Sequence, residues 1–309
     1  MEEKRYTAQF GGRPLTVTVG RLAQQANGSV MVQYGETVVL ATAVLGKPTD
    51  RDYFPLSVDF EEKYYAAGKI KDSKWLKREG RPNEEAILTA RVIDRSIRPR
   101  FSHNVRNEVQ CVATVLAFDK ENDADMPALF ATSLALMISD IPFSGPVSGV
   151  RVGRVDGSFV INPTYAQRAT SEMDIIVSGT TTRINMIEAG ANIVAEQVVG
   201  DAIEFAFTEL QALNELQATI AQEIGKSKQN LAIFTHDEAL VAQVRRFCES
   251  RLEQEIFVPT KAEHYANQEA IKVATLEMVG TTFASDADLE KKLVETEKIF
   301  EECVNQVVH

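Results

Sequence analysis

A basic segment between residues 63 and 106 is the part of this chain best suited to bind a charged ligand. It holds twelve Lys or Arg against five Asp or Glu, a net charge of +7, whereas the 309-residue chain carries −11. A cationic patch on an otherwise acidic protein is typical of a nucleic-acid site. The segment also contains Tyr64, Tyr65 and Trp75, the only tryptophan of the chain. Charge for a phosphate backbone and flat faces for unstacked bases together predict binding of single-stranded nucleic acid.

A helix from about Asn83 to Arg98 is expected to position part of this charge. Asn83 can act as an N-cap, and Pro99 should stop the helix. Three arginines share one face at i, i+4 and i+7, and the opposite face is apolar. The arginines are Arg91, Arg95 and Arg98, and the apolar residues are Ala86, Ala90, Ile93 and Ile97. A basic helix face taken alone is often just exposed to solvent and binds no ligand. The basic loop next to this helix makes the interpretation as a binding surface more favourable. That loop contributes Lys74, Lys77, Arg78 and Arg81.

Acidic residues offer a second and weaker kind of chemistry. Asp119, Asp123 and Asp125 are bunched in FDKENDAD, a pattern that is usually a solvated turn and only rarely a metal site. Asp174 opens the apolar run MDIIVSG, where a carboxylate could serve as a general base or merely cap the end of a strand. The sequence leaves both interpretations of Asp174 open.

Composition narrows the class of protein. With 44% hydrophobic and 25% charged residues, the chain is expected to be globular and long enough for two domains. It has no apolar run of eighteen residues and no apolar signal-peptide core, which favours a soluble, cytoplasmic protein without membrane association. The odd, widely spaced cysteines Cys111, Cys248 and Cys303 indicate reduced, buried thiols. Four scattered histidines lack zinc-site spacing, so no metal site is predicted.

Hydrophobic periodicity predicts an α+β domain followed by helices. Strands are predicted at 15–19, 29–33, 37–44, 54–60, 109–117, 147–155, 158–162, 174–178 and 185–189. Residues 62–83 are predicted to form a loop. Further helices are predicted at 127–138, 195–225, 237–252, 262–279 and 286–307. No Walker loop, dinucleotide-binding glycine motif or nucleophile elbow is present. Residues 201–309 carry a net charge of −10, so this region should not hold nucleic acid unaided.

The basic segment resembles a long signature of the bacterial polynucleotide phosphorylase family. The matching run is YAAGKIKDSKWLKREGRPNEEAILTARVIDRSIRPRF, and GETVVLATAV, NEVQCVATVLAFD and PFSGPVSGVRVG resemble the same family in the same order. The resemblance implies an RNase PH-like core, with mixed β-sheets packed by helices as in domain 2 of ribosomal protein S5, followed by an all-α domain. We expect the core at 1–230 and the helical domain at 231–309. A second, catalytic RNase PH-like domain should follow beyond this chain.

Members of this family shorten RNA from its 3′ end with inorganic phosphate and release nucleoside diphosphates. The resemblance implies a homotrimeric ring around single-stranded RNA and a role in mRNA degradation beside partners such as a helicase or an endonuclease. The family's channel loop, aromatic-aromatic-Arg-Arg, corresponds here to Trp75, Leu76, Lys77 and Arg78. Stacking on Trp75 should survive, whereas Lys77 is only a point charge. The RNA-binding set predicted for this chain is therefore Trp75, Leu76, Lys77, Arg78, Arg81, Arg91, Arg95 and Arg98.

The resemblance also implies that this half of the family's protein is catalytically silent. The serine-rich phosphate loop of the active core is replaced by a run from Asp125 to Ala128, where a carboxylate would repel phosphate. Arg168 and Ile176 stand at the positions of one active-site aspartate and the lysine, and only Asp174 is retained. Magnesium should bind in the missing second core. Two alternatives remain: an active phosphorylase that uses the helix arginines and Asp174, and a scaffold whose contact with RNA is incidental.

Overall fold

The chain folds into two compact units, Met1–Ile233 and Phe234–His309. In this computed structural model, residues 2–51, 53–70, 80–231 and 233–308 are described. The first unit contains two β-sheets with helices packed on them, and the second contains only helices. No helix among these residues is both long and apolar enough to cross a membrane.

The larger sheet has six strands in the order β1-β2-β3-β4-β6-β5. These are β1 (Lys4–Phe10), β2 (Arg13–Val19), β3 (Gly28–Tyr34), β4 (Thr37–Pro48), β5 (Leu56–Glu62) and β6 (Asn107–Ala117). All neighbours are antiparallel except β5 and β6, which run parallel. Side chains alternate between the faces, so Val30, Val32 and Tyr34 of β3 are buried while the residues between them are half-buried.

The smaller sheet has four antiparallel strands in the order β10-β9-β7-β8. They are β7 (Ser148–Val155), β8 (Ser158–Ile161), β9 (Met173–Gly179) and β10 (Ile184–Ala191). A short helix, α3 (Tyr165–Thr170), joins β8 to β9 and begins with a capping box between Thr164 and Gln167.

Helix α2 (Asp125–Ile138) is the centre of the first unit, because it packs against strands of both sheets. Nearly every one of its residues is buried, as expected for a helix that is apolar on all sides. Gly28 of β3 lies so close to this helix that an added Cβ would be 2.0 Å from the carbonyl oxygen of Ala135. A glycine is therefore required for β3 to approach α2. Helix α4 (Glu196–Ile224) covers β7 and β9.

Helix α1 (Glu84–Ile97) confirms the predicted cap and apolar face. The side chain of Asn83 accepts a hydrogen bond from the backbone N–H of Ala86 at 2.6 Å. Ala86, Ile93 and Ile97 are buried. A 3₁₀ turn, Arg98–Arg100, follows the helix, and another, Tyr64–Ala67, lies in the segment predicted to be loop.

The second unit consists of α5 (Glu238–Glu255), α6 (Lys261–Thr282) and α7 (Leu289–Val308). Its core contains Leu240, Ile271, Phe300 and the free cysteines Cys248 and Cys303. The predicted thiols are thus buried and unpaired by disulfides, as is Cys111 in β6.

Candidate functional site

The predicted RNA-binding residues fall into three groups. Trp75, Leu76, Lys77 and Arg78 lie outside the described residues. Arg81, just before α1, and Arg91, on α1, are exposed, and neither side chain has a hydrogen-bond or ion-pair partner within the described part of the chain. Their guanidinium groups are available to an anion.

Arg95 and Arg98 do have partners, of different strength. Arg95 lies 3.3 Å from the carboxylate of Glu188 on β10, and both side chains are 50% exposed. An ion pair this exposed contributes only about 0–1 kcal/mol, so a phosphate group could displace Glu188.

Arg98 is held by the protein itself. Its Nε and Nη2 donate to both carboxylate oxygens of Asp94, at 2.8 and 2.6 Å. Its terminal nitrogens also donate to the carbonyl oxygens of Phe54 and Leu56, at 3.3 and 3.1 Å. These bonds tie the end of α1 to the start of β5. Arg98 therefore has a structural role here that its helical spacing did not indicate.

A cavity of about 510 Å³ lies between this basic region and the acidic loop before α2. Tyr64, Lys69 and Arg81 line it on the basic side, and Asp123 and Tyr165 line it on the other. The cavity brings the predicted RNA-binding segment next to the positions where the family resemblance places vestiges of an active site.

Those positions are occupied by a network of paired charges. Arg151, on β7, donates at 2.5 Å to Asp125 at the first turn of α2 and at 2.5 Å to Asp174 on β9. Arg168, on α3, donates at 2.7 Å to Asp123 and at 3.0 Å to Asp174. The side chains of Arg151 and Asp125 are only 12% and 6% exposed. Two guanidinium groups thus pair with three carboxylates.

The Asp125 carboxylate also occupies the N-terminus of α2. It accepts a hydrogen bond from the backbone N–H of Met126 at 2.6 Å, while Pro127 supplies no N–H. Backbone N–H groups at a helix N-terminus together with a buried arginine would form a good oxyanion site. In this protein a side-chain carboxylate already fills that place.

Burial and charge shift the pKa values of the surrounding groups. Burial, together with the nearby carboxylate of Asp125, raises the pKa of Asp123 to about 6, despite the opposing effect of Arg151 and Arg168. Burial and the carboxylates of Asp123 and Asp125 raise the pKa of Tyr165. Burial opposes the charge of Arg151, but the two carboxylates it contacts outweigh this effect and raise its pKa.

The groups of this network that could take part in phosphoryl transfer are already engaged with one another. Asp174, the candidate general base, accepts hydrogen bonds from two arginines, at 2.5 and 2.6 Å from Arg151 and at 3.0 Å from Arg168. Among the described residues, no group of three or more His, Cys, Asp or Glu has the geometry to hold a metal. A magnesium ion does not fit between these carboxylates because both guanidinium groups already contact them. Ile176, at the lysine position, is buried in an apolar cluster.

Arg151 is the central residue of this network, and sequence reasoning missed it. A usable signal was present, because Arg151 is a cation within the otherwise apolar alternation of SGVRV. A charged side chain in a buried strand requires a partner of opposite charge. Identifying that partner required the pairing of β7 with β9, which places Gly153 opposite Asp174.

Comparisons with known proteins agree with this fold. Residues 11–142 match the model for the 3′ exoribonuclease family, domain 1, and residues 145–209 match the model for domain 2 of that family. A polyribonucleotide nucleotidyltransferase of Halalkalibacterium halodurans is 46% identical over 311 aligned residues, covering 100% of this chain and 43% of the relative. Another, from Geobacillus kaustophilus, is 44% identical and covers 99% of this chain and 42% of the relative.

The chain therefore spans less than half the length of these curated relatives. The crystal structure of rice (Oryza sativa) Rrp46 has a TM-score of 0.56 and 14% identity, covering 68% of this chain and 95% of that one. At this identity the likeness concerns the fold alone. Together these comparisons confirm the resemblance inferred from the sequence and the RNase PH-like fold that it implied.

Proposed function

Because the chain belongs to the 3′ exoribonuclease family, we propose that it is the N-terminal, non-catalytic part of a 3′→5′ phosphorolytic exoribonuclease. The whole protein would convert RNA and inorganic phosphate into shortened RNA and nucleoside diphosphates. This part would guide single-stranded RNA toward a second core that performs the chemistry.

The observation that carries the proposal is the pairing of Arg151 with Asp125 at 2.5 Å. Phosphorolysis requires a place for phosphate and groups that stabilise charge on the transferring phosphoryl group. Here a carboxylate occupies the N-terminus of α2, and the arginines that could stabilise an anion are neutralised by aspartates. Phosphate would have to displace a buried carboxylate to bind.

The RNA-guiding role rests on the basic segment. Among the described residues, Arg81 and Arg91 have no hydrogen-bond or ion-pair partner for their guanidinium groups, and Arg95 has only the exposed Glu188. We propose that these arginines contact RNA phosphates and that Trp75, Leu76, Lys77 and Arg78 also bind the RNA. Stacking of one base on Trp75 would contribute about 1–3 kcal/mol. Arg98 would act by fixing the end of α1.

The remaining features of the whole protein are proposals drawn from the family resemblance. Phosphate would be the co-substrate, and magnesium would bind in the second core. The protein would form a homotrimer around its RNA channel and act in cytoplasmic mRNA degradation. A helicase or an endonuclease would be its partner in that process.

The first experiment measures nucleoside diphosphate release from poly(A) by the purified chain, with phosphate and magnesium. We expect no release above the level without enzyme. Phosphate-dependent release that Asp174→Asn abolishes would instead show that this core is itself a phosphorylase.

A second experiment measures the affinity of the chain for fluorescent oligo(A) across a salt series. We expect Trp75→Ala to weaken binding at every salt concentration, and Arg91→Ala to lower the slope of log affinity against log salt by about 0.7, the value for one phosphate contact on a single strand. Arg21→Ala, which removes an exposed arginine outside the basic segment, is the matched control. If Trp75→Ala and Arg91→Ala bind RNA as tightly as the original chain and the control do, the RNA-guiding role is wrong and a scaffold role is favoured.

A further inference from the structure

A second basic groove lies at the far end of α1, beyond the residues assigned above. Its volume is about 480 Å³. The side chains of Arg100 and Arg183 line it together with the hydroxyls of Thr181 and Thr182. No carboxylate is found among the lining residues that the structure describes. Two cations and two hydroxyl donors without an acidic neighbour favour an anionic ligand.

One wall of the groove is a rigidly held arginine. Both Nε and Nη2 of Arg100 donate to the carbonyl oxygen of Ser144, the Nε bond being 2.9 Å. The backbone N–H of Ser144 donates in return to the carbonyl oxygen of Arg100 at 3.0 Å. Gly145 follows with a φ of +95°, a conformation that glycine adopts without strain. These bonds orient the guanidinium, and its Nη1 has no hydrogen-bond partner in the part of the chain that the structure describes.

The opposite wall is the turn between β9 and β10. Thr180 Oγ1 accepts the N–H groups of Thr182 and Arg183, at 3.3 and 3.1 Å, and the backbone N–H of Thr180 donates to the carbonyl oxygen of Arg183 at 2.8 Å. These bonds fix the turn. The side chain of Arg183 is exposed and has no partner in the described part of the chain.

Hydrogen bonds join the strands beside the groove to the end of α1. Asn185 donates to the carbonyl oxygen of Ser96 at 2.6 Å, and Ser178 donates to the hydroxyl of Ser96 at 2.8 Å. These bonds fasten β9 and β10 to the end of α1. Arg183 is the residue before β10, and Glu188, the partner of Arg95, lies five residues further along the chain, which is at most about 17 Å of extended backbone. Arg91 and Arg95 on α1, Arg100 in the turn that follows it and Arg183 before β10 therefore lie on elements that are joined to one another.

We propose that this groove binds a phosphodiester group of the same single-stranded RNA that contacts α1. The inference rests on the proposed function and extends it, because it adds a contact for longer RNA at the C-terminal end of the helix. Because the groove is open and lies near the arginines of α1, it suits an extended RNA backbone better than a small enclosed ligand. Free phosphate has the same chemistry and is the alternative that the experiment must separate.

The test compares Arg183→Ala with the original chain on oligo(A) of about 6 and about 20 nucleotides, lengths chosen to engage one or several sites of a single-strand path. We expect a loss of affinity of about 5-fold at low salt for the longer RNA, a salt slope lower by about 0.7, and little change for the shorter RNA. Arg21→Ala is again the control. Because Arg183 is exposed and its turn is held by backbone and Thr180 contacts, the variant should fold normally, which circular dichroism will verify.

Three results separate the possible failures. If Arg91→Ala weakens binding and Arg183→Ala does not, the groove proposal is overturned and the proposed function stands. If neither variant nor Trp75→Ala changes affinity, the RNA-guiding function itself fails. If inorganic phosphate raises the melting temperature only when Arg183 is present, while long RNA binds both proteins equally, the groove is a small-anion site and the RNA proposal is overturned.

Discussion

Arg151 Nη2 lies 2.5 Å from Asp125 Oδ2, and the other oxygen of that carboxylate accepts a hydrogen bond from the backbone N–H of Met126 in the first turn of α2. Arg151 reaches it from the middle of β7, while its Nη1 holds Asp174 on the adjacent strand. A helix N-terminus and a buried arginine could bind an anion, but here an aspartate of the protein itself occupies that place. These contacts join α2 to the smaller sheet.

Removing Arg151 should destabilise the protein strongly. Arg151→Met leaves Asp125 buried without its cation, and breaking a buried pair from one side costs about 3–5 kcal/mol in the free energy of unfolding. The matched control is Arg154→Met on the same strand, which breaks the contact with Glu172 between side chains that are 28% and 52% exposed. That loss should be about 0–1 kcal/mol. Urea denaturation measures both, and equal losses would contradict the assigned role of Arg151.

Removing the carboxylate of Asp125 should open a latent anion site. Asp125→Ser removes the carboxylate that accepts from the backbone N–H of Met126 and from Nη2 of Arg151, while Nη1 of Arg151 keeps Asp174. We expect the variant to melt at a lower temperature than the original chain and to recover part of the loss in phosphate. Sodium chloride at equal ionic strength should not restore it. Phosphate should not raise the melting temperature of the double variant Asp125→Ser, Arg151→Met. If it does, the phosphate binds at a place other than the N-terminus of α2.

Much of the secondary structure could be predicted from the sequence, because strand alternation and helix caps are local signals. Asn83 marked the start of α1 correctly, and the strands of both sheets after β1 were confirmed within a few residues. Strand β1 was missed because its alternation involves half-buried polar residues at the edge of the sheet. Helix α3 was missed because it is only six residues long and buries none of them.

The candidate site was less accessible to sequence reasoning, because its contacts join residues far apart in the chain. The run from Asp125 indicated a lost phosphate loop, but only the fold shows that Arg151 neutralises the new carboxylate. Arg98 was grouped with Arg91 because both face the same side of an ideal helix. The carbonyl groups that engage Arg98 belong to Phe54 and Leu56, more than forty residues away.

Asp123 should make stability depend on pH in an unusual direction. Its pKa is raised to about 6 in the folded protein from an ordinary value of 3.8. Between these values the folded state binds more protons than the unfolded state, so this group lowers the free energy of unfolding as pH rises from about 4 to 6. Asp123→Asn removes the titration but keeps an oxygen for Arg168. We expect the variant to gain stability relative to the original chain over that pH range.

Urea denaturation at several pH values between 4 and 7 checks this prediction. The useful quantity is the difference in unfolding free energy between Asp123→Asn and the original chain, because other titrating groups cancel in it. If Asp123→Asn instead loses stability relative to the original chain as pH rises, the pKa of Asp123 is not raised. The ion pair of Asp123 with Arg168 at 2.7 Å would then outweigh the cost of burying the carboxylate.

Lys228 should stabilise the C-terminus of α2. Its Nζ donates to the carbonyl oxygens of Leu136, Met137 and Ser139, at 2.8, 2.9 and 2.7 Å. These include carbonyl groups of the last helical turn, which have no partner within the helix, and a cation there also interacts favourably with the helix dipole. Burial lowers the pKa of Lys228 to about 8, so the ammonium form predominates at neutral pH.

We expect Lys228→Met to lower the free energy of unfolding by about 1–3 kcal/mol, because part-buried carbonyl groups lose a charged donor while the alkyl chain is largely retained. Lys226→Met is the matched control two residues earlier, since Lys226 Nζ donates only to the exposed carbonyl oxygen of Asn27. Its effect should be about 0–1 kcal/mol. Thermal denaturation compares the two. A larger effect at Lys226 would mean that the segment after α4 is held by the contact of Lys226 with Asn27, just before β3, rather than by the end of α2. The helix that carries Asp125 would then need another source of stability at its C-terminus.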